Sequence, residues 1–155
     1  MHFHRFHTLA AWVAGVVLTL APARTSAAPW DQQEVTQLAS HLAEAVSGVY
    51  EEFRKQPQVD VSTMQTRSRY RLQDELRLLE GETRELARQL KSGEGRDATQ
   101  PIYDRVGSLA RDAREEGRRQ LIAKPVQERV DRAEELWAQL TPYYASAPAP
   151  AGENR

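Results

Sequence analysis

Three times along this chain apolar residues recur at alternating steps of four and three, and that spacing leaves few folds open. Val35, Ala39, Leu42, Val46, Val49 and Phe53 form the first series. Leu72, Leu76, Leu79, Thr83, Leu86 and Leu90 form the second, and Val126, Val130, Ala133, Trp137 and Leu140 the last. Between them a shorter series, Ile102, Val106, Leu109 and Ala113, turns polar after its fourth member. Each series is one seam along a helix, and a seam needs neighbouring seams to bury it.

Helix ends follow from local chemistry. Asp31 and Glu34 make a capping-box pair and Trp30 with Val35 a hydrophobic staple, which starts the first helix and gives it a span of about 31–55. Past Pro57 the second spans about 62–92, stopping at Gly93 and Gly95. The third, about 99–120, is expected to begin with Thr99 as cap and Pro101 in its first turn. The fourth, about 124–141, starts near Pro125 and ends at Pro142, leaving Tyr143 and Tyr144 to fold back on the bundle end. Short loops favour antiparallel neighbours, so the expected fold is all-α, an antiparallel up-down-up-down four-helix bundle. The same rhythm occurs in coiled coils, which makes a dimer of helical hairpins the structural alternative.

Ahead of the helices, residues 1–27 have the three parts of a secretory signal peptide. His2, His4, Arg5 and His7 form a basic start, Thr8 to Leu20 is uncharged and apolar, and Ala21 to Ala28 is small and polar. Thr25 and Ala27 place the cut after Ala27. About 13 apolar residues fall short of the roughly 20 that span a bilayer, so the mature chain is not expected to be membrane-spanning. The expected location is the periplasm or the exterior of a bacterium. Residues 28–144 then carry the bundle, and residues 145–155, rich in Ala and Pro, read as a disordered tail.

Composition narrows the chemistry. The whole chain has a formal charge of -1, and losing Arg5 and Arg24 with the leader leaves 19 basic against 22 acidic residues, so no pull toward nucleic acid follows. Without cysteine there is no disulfide, thiolate metal site or lipid-anchored cysteine. A haem site of the cytochrome b562 kind requires an inward Met and His, but His41 and Met64 both lie one position before the seam and point outward. No Glu-x-x-His pattern, nucleophile with a base, or phosphate-binding loop is present. No cofactor, metal or enzymatic activity is expected. The Leu-Thr-x-x-Gln motif of exported helical stress chaperones is also missing; Thr36-Gln37 and Thr99-Gln100 are isolated fragments. Acids placed four residues ahead of an arginine, as in Glu80 with Arg84 and Glu128 with Arg132, read as surface helix support.

One asymmetry remains. In an up-down-up-down bundle a single pole gathers Arg54, Lys55, Arg67, Arg69, Arg71, Arg114, Arg118, Arg119 and Lys124, diluted by Glu51, Glu52, Asp60, Glu115 and Glu116. Cations at helix C-termini complement the macrodipole, which accounts for Arg54, Lys55, Arg118 and Arg119. Arg67, Arg69 and Arg71 lie near a helix start and do not fit that explanation. The seams continue inward through Gln65 and Arg69 on the second helix and Glu116 and Gln120 on the third. An interhelical Arg69–Glu116 pair closing the bundle end is the structural expectation. The functional one is a binding surface formed by Arg67, Arg69, Arg71, Glu116, Arg118 and Arg119 for an envelope protein or an anionic envelope component. The expected function is thus a non-enzymatic binding, adaptor or chaperone-like module. The alternative is a small-ligand or cofactor carrier with a pocket inside the bundle near Tyr50, Tyr70, Arg69, Glu116 and Trp137.

Overall fold

Every member of the first two apolar series is buried, from Val35 and Leu86 at 0 % exposure to Leu79 at 7 %. They lie on the first two of four helices, α1 (Gln32–Lys55), α2 (Thr63–Lys91), α3 (Arg96–Gly117) and α4 (Lys124–Tyr144). The computed structural model describes residues 27–56, 63–120 and 122–145, and among side chains it omits also those of residues 63–65. The leader up to residue 26, the tail beyond Ala145, and the inward or outward placement of Met64 and Gln65 lie outside the described residues. No strand occurs among the described residues, and no described helix is long and apolar enough to cross a membrane.

Thr83 shows how a polar residue joins a seam. Its hydroxyl is buried but donates to the Leu79 carbonyl at 2.9 Å and lies 3.1 Å from that of Glu80, so no donor is left unpaired. Three positions earlier, Glu80 is only 9 % exposed. Ser47 Oγ on α1 donates to its carboxylate at 2.7 Å and Arg84 pairs with it at 2.8 Å, so charge and hydrogen bonding both compensate the burial.

Contacts between helix ends fix an antiparallel, up-down-up-down order. At one end, Gln32 Nε2 at the start of α1 donates to Leu90 O at 2.9 Å and to Glu94 O, just past the end of α2, at 3.1 Å. Ala28 N donates to Pro142 O at 3.0 Å, joining the lead-in to α1 with the last turn of α4, and Arg96 donates to Ala145 O. At the other, Arg129 of α4 lies 3.9 Å from Glu52 of α1. Helix α1 packs on α2 and α4, and α2 on α3, whereas the α3 and α4 backbones approach closely at few positions. Rings fill that wider seam: Tyr103 stacks on Trp137 at 4.4 Å and on Tyr144 at 3.9 Å.

Three expectations about ends and seams are corrected. Helix α3 starts at Arg96, with Gly95 rather than Thr99 at its N-cap, and stops at Gly117. Thr99 is instead fully buried, its hydroxyl 3.0 Å from the Gly95 carbonyl and 2.8 Å from the Tyr144 hydroxyl. Pro142 does not end α4, which runs on to Tyr144. In the last turn the missing N–H removes one bond, and burying Tyr144 against Tyr103, Thr99 and the edge of Trp30 outweighs it. Finally Leu136, 3 % exposed, takes the core position assigned to Trp137, which sits half-buried in the α3–α4 seam. Among surface pairs, Glu80–Arg84 forms but Glu128 faces Lys124 at 3.8 Å while Arg132 turns to Glu135 at 3.0 Å.

Candidate functional site

The basic pole is built on its own small core. Val49, Phe53, Leu72, Leu76, Ala113 and Val126 cluster there, with Tyr50, Ile122 and Val130 packed around them. This brings the end of α1, the start of α2, the end of α3 and the start of α4 together, as the spacing requires. Above that core the polar residues take up distinct tasks.

Arg69 does point inward, but its partner is the end of α1. Its Nη2 donates to Gln56 O at 2.8 Å and to Phe53 O at 3.2 Å, and the guanidinium carbon stands 4.8 Å from the Phe53 ring centroid. A helix leaves its last carbonyls without intrahelical partners, and a cation there also meets the negative end of the macrodipole. The expected Arg69–Glu116 pair is not formed, because the guanidinium is already engaged by these carbonyls. Glu116, with 13 % of its side chain exposed, instead accepts from Ser68 Oγ across the α2–α3 interface and lies 3.5 Å from Arg119. Ser68 is the residue that sequence reasoning missed. A small hydroxyl one position before an inward arginine was the available signal.

Gln120 is inward as expected, and its Nε2 is buried without a hydrogen-bond partner among the described residues, as is that of Gln56. Arg118 and Arg119 reach Glu115 at 3.6 Å and 3.2 Å, so the end of α3 neutralises its own cations. Arg54 lies 5.6 Å from the Tyr50 ring centroid, Lys55 meets Glu52 at 3.5 Å, and Arg114 binds Glu134 of α4 at 2.6 Å. Arg67 and Arg71 differ from all of these. Both are exposed, and neither forms an ion pair with a described residue.

No family model, curated protein or solved structure matches this chain. Of the six residues singled out from sequence, Arg69 and Glu116 hold the end of the bundle together, and Arg118 and Arg119 are partly neutralised. Arg67 and Arg71 are the two whose charge faces outward uncompensated by a described group.

Of the residues proposed for an internal pocket, Tyr50, Arg69 and Glu116 meet at the pole, but Tyr70 and Trp137 lie away from it. Tyr70 is 56 % exposed on the outside of α2, and Trp137 stacks on Tyr103 and lies against Gly107. Gly107 and Glu116 are separated by about 13 Å of helix rise. Two surface grooves lie among the described residues. One of about 610 Å³ runs along α1 past Ser40, Ser47 and Gly48, and its rim arginines Arg84, Arg88 and Arg129 each face a glutamate. The other, about 360 Å³, lies between α2 and α3 and is bordered by Glu82, Glu85 and Arg105. The hydrogen bond from Arg88, with a second from Gln89, holds the pKa of the Glu85 carboxyl down to about 2. No group of three or more possible metal-ligating His, Asp or Glu side chains occurs among the described residues.

Proposed function

We propose that the chain is exported by a bacterium, loses its leader after Ala27, and works as a non-enzymatic envelope binding module that docks an anionic partner on the basic pole. The observation that carries this reading is the position of Arg67 and Arg71. They stand exposed in the second and third turns of α2, and no described acid neutralises them. No acidic residue occupies the first turn of α2 either. Uncompensated positive charge on an otherwise acidic protein orients it toward an anionic surface.

A soluble polyanion tests this directly. The processed protein should bind polyglutamate at low salt and release it at high salt, and the Arg67→Glu, Arg71→Glu double variant should lose that binding. Equal retention of the double variant and the parent overturns the reading. Both residues are exposed, so an unchanged thermal midpoint is expected of the variant.

A further inference from the structure

Among the described residues, two large apolar side chains are strongly exposed, Tyr70 at 56 % and Leu78 at 50 %, and both lie on α2. Successive helical residues turn by about 100°, which places Arg67, Tyr70, Arg71, Asp74, Arg77 and Leu78 within an arc of about 120°. All six are exposed. The stripe thus interleaves three arginines with a tyrosine and a leucine, and its single carboxylate, Asp74, leaves a net positive charge. None of these arginines forms an ion pair with a described residue, whereas Arg84 and Arg88 farther along the same helix each do.

Both flanks of the stripe are already committed to the fold. On one side Ser47, Glu80 and Arg84 tie α2 to α1. On the other Arg105 holds Glu82 at 3.0 Å and Ser68 holds Glu116, tying α2 to α3. What faces outward is a convex ridge one helix wide, on which Tyr70 and Leu78 stand about 12 Å apart along the axis. Neither groove described above includes them.

We infer that this ridge rests on the anionic headgroup surface of a lipid bilayer. The inference deepens the docking function proposed above and rests on it. Guanidinium forks match phosphate oxygens in pairs. A tyrosine ring with its polar hydroxyl seats at headgroup depth, and a leucine beside it reaches the upper acyl region. A soluble polyanion offers charge but no apolar phase to cover Tyr70 and Leu78. Protein interfaces seat such anchors in shaped pockets, while a fluid bilayer receives side chains that project from a ridge without matching its shape.

The test compares the processed protein on vesicles of phosphatidylglycerol with phosphatidylcholine, on vesicles of phosphatidylcholine alone, and on polyglutamate. Binding to the anionic vesicles is expected, weakening about fivefold for each of Arg67→Gln, Arg71→Gln and Arg77→Gln. The Tyr70→Gln, Leu78→Gln double variant should lose about tenfold on anionic vesicles and nothing on polyglutamate. If it binds vesicles as well as the parent, or if no vesicle binds while polyglutamate does, the lipid inference is overturned and the anionic docking function stands. Binding to neither probe removes both. An acidic amphipathic peptide that binds in a Tyr70- and Leu78-dependent way, where vesicles do not, overturns the lipid assignment in favour of a protein helix. Because all five substituted positions are exposed, unchanged thermal midpoints confirm that the variants remain folded.

Discussion

Arg69 closes the last turn of α1 on Phe53, its guanidinium carbon 4.8 Å from the ring centroid and its Nη2 3.2 Å from the same residue's carbonyl oxygen. One side chain from α2 therefore caps the preceding helix and covers the edge of the polar-end core. Arg69→Gln should cost about 1–3 kcal/mol in denaturant unfolding, the range for removing a charged hydrogen bond together with a cation–π interaction. Arg67→Gln, two residues away and exposed, should stay within about 0.5 kcal/mol of the parent. Equal effects at the two sites would mean that the cap contributes nothing.

Two glycines inside helices give opposite expectations. A Cβ at Gly81 would meet nothing within 4 Å, so Gly81→Ala should stabilise by about 0.5–1 kcal/mol through helix propensity alone. At Gly107 the added atom would stand 3.2 Å from Trp137 Cζ2, and Trp137 is held by its stack on Tyr103. Gly107→Ala should therefore destabilise, despite its better propensity, with a change in near-ultraviolet circular dichroism that Gly81→Ala lacks.

The α3–α4 seam depends on Tyr103. Truncation to Ala removes both stacks and the hydroxyl's bond to Thr141 Oγ1 at 3.2 Å, with an expected loss of about 3–5 kcal/mol. Thr99→Val, which keeps the shape but leaves the buried Tyr144 hydroxyl without its 2.8 Å partner, should cost about 1–3 kcal/mol.

Burial raises the pKa of Tyr103 and Tyr144 above the phenol value of 10.0. The folded state then holds these protons more tightly than the unfolded chain does. Stability from this source is complete below pH 10, falls as the unfolded chain ionises above it, and is lost once pH passes the folded values. Stability followed by denaturant unfolding should accordingly decline above about pH 10, and less so in Tyr103→Phe. A flat profile in the parent would remove the burial effect.

Helix α4 carries no basic residue in its last turn, and Ala28 N donates to Pro142 O there. A cut after Ala27 would turn that amide into an ammonium set against the negative end of a helix. Acetylating the amine of the processed chain should lower its thermal midpoint by about 2–5 °C. An identical midpoint with and without the acetyl group would show that the bond holds equally well uncharged.

The fold is most legible in the sequence where one physical requirement acts alone. The seams of α1 and α2 can be read because every position in them faces apolar neighbours, and even Thr83 satisfies its hydroxyl within its own helix. Thr99 misleads because a hydroxyl residue two before a proline has the chemistry of a cap. Its burial depends on Tyr144, 45 residues later. Pro142 misleads for the same reason: the local rule stops a helix, and the packing that overrides it is tertiary. At the pole the inward register of Arg69 is legible, yet its acceptors are main-chain carbonyls, which no residue type announces.

The ring-filled seam gives the molecule a direction. Three of its sides are interlocked by side chains that mesh between closely approaching helices, and the fourth is bridged by flat rings lying face to face. Stacked faces resist compression but slide with little resistance until their overlap is gone. In mechanical terms the bundle is a tube with one slit, and what pins that slit against sliding is a row of polar ties, Thr99–Tyr144, Tyr103–Thr141 and Arg114–Glu134.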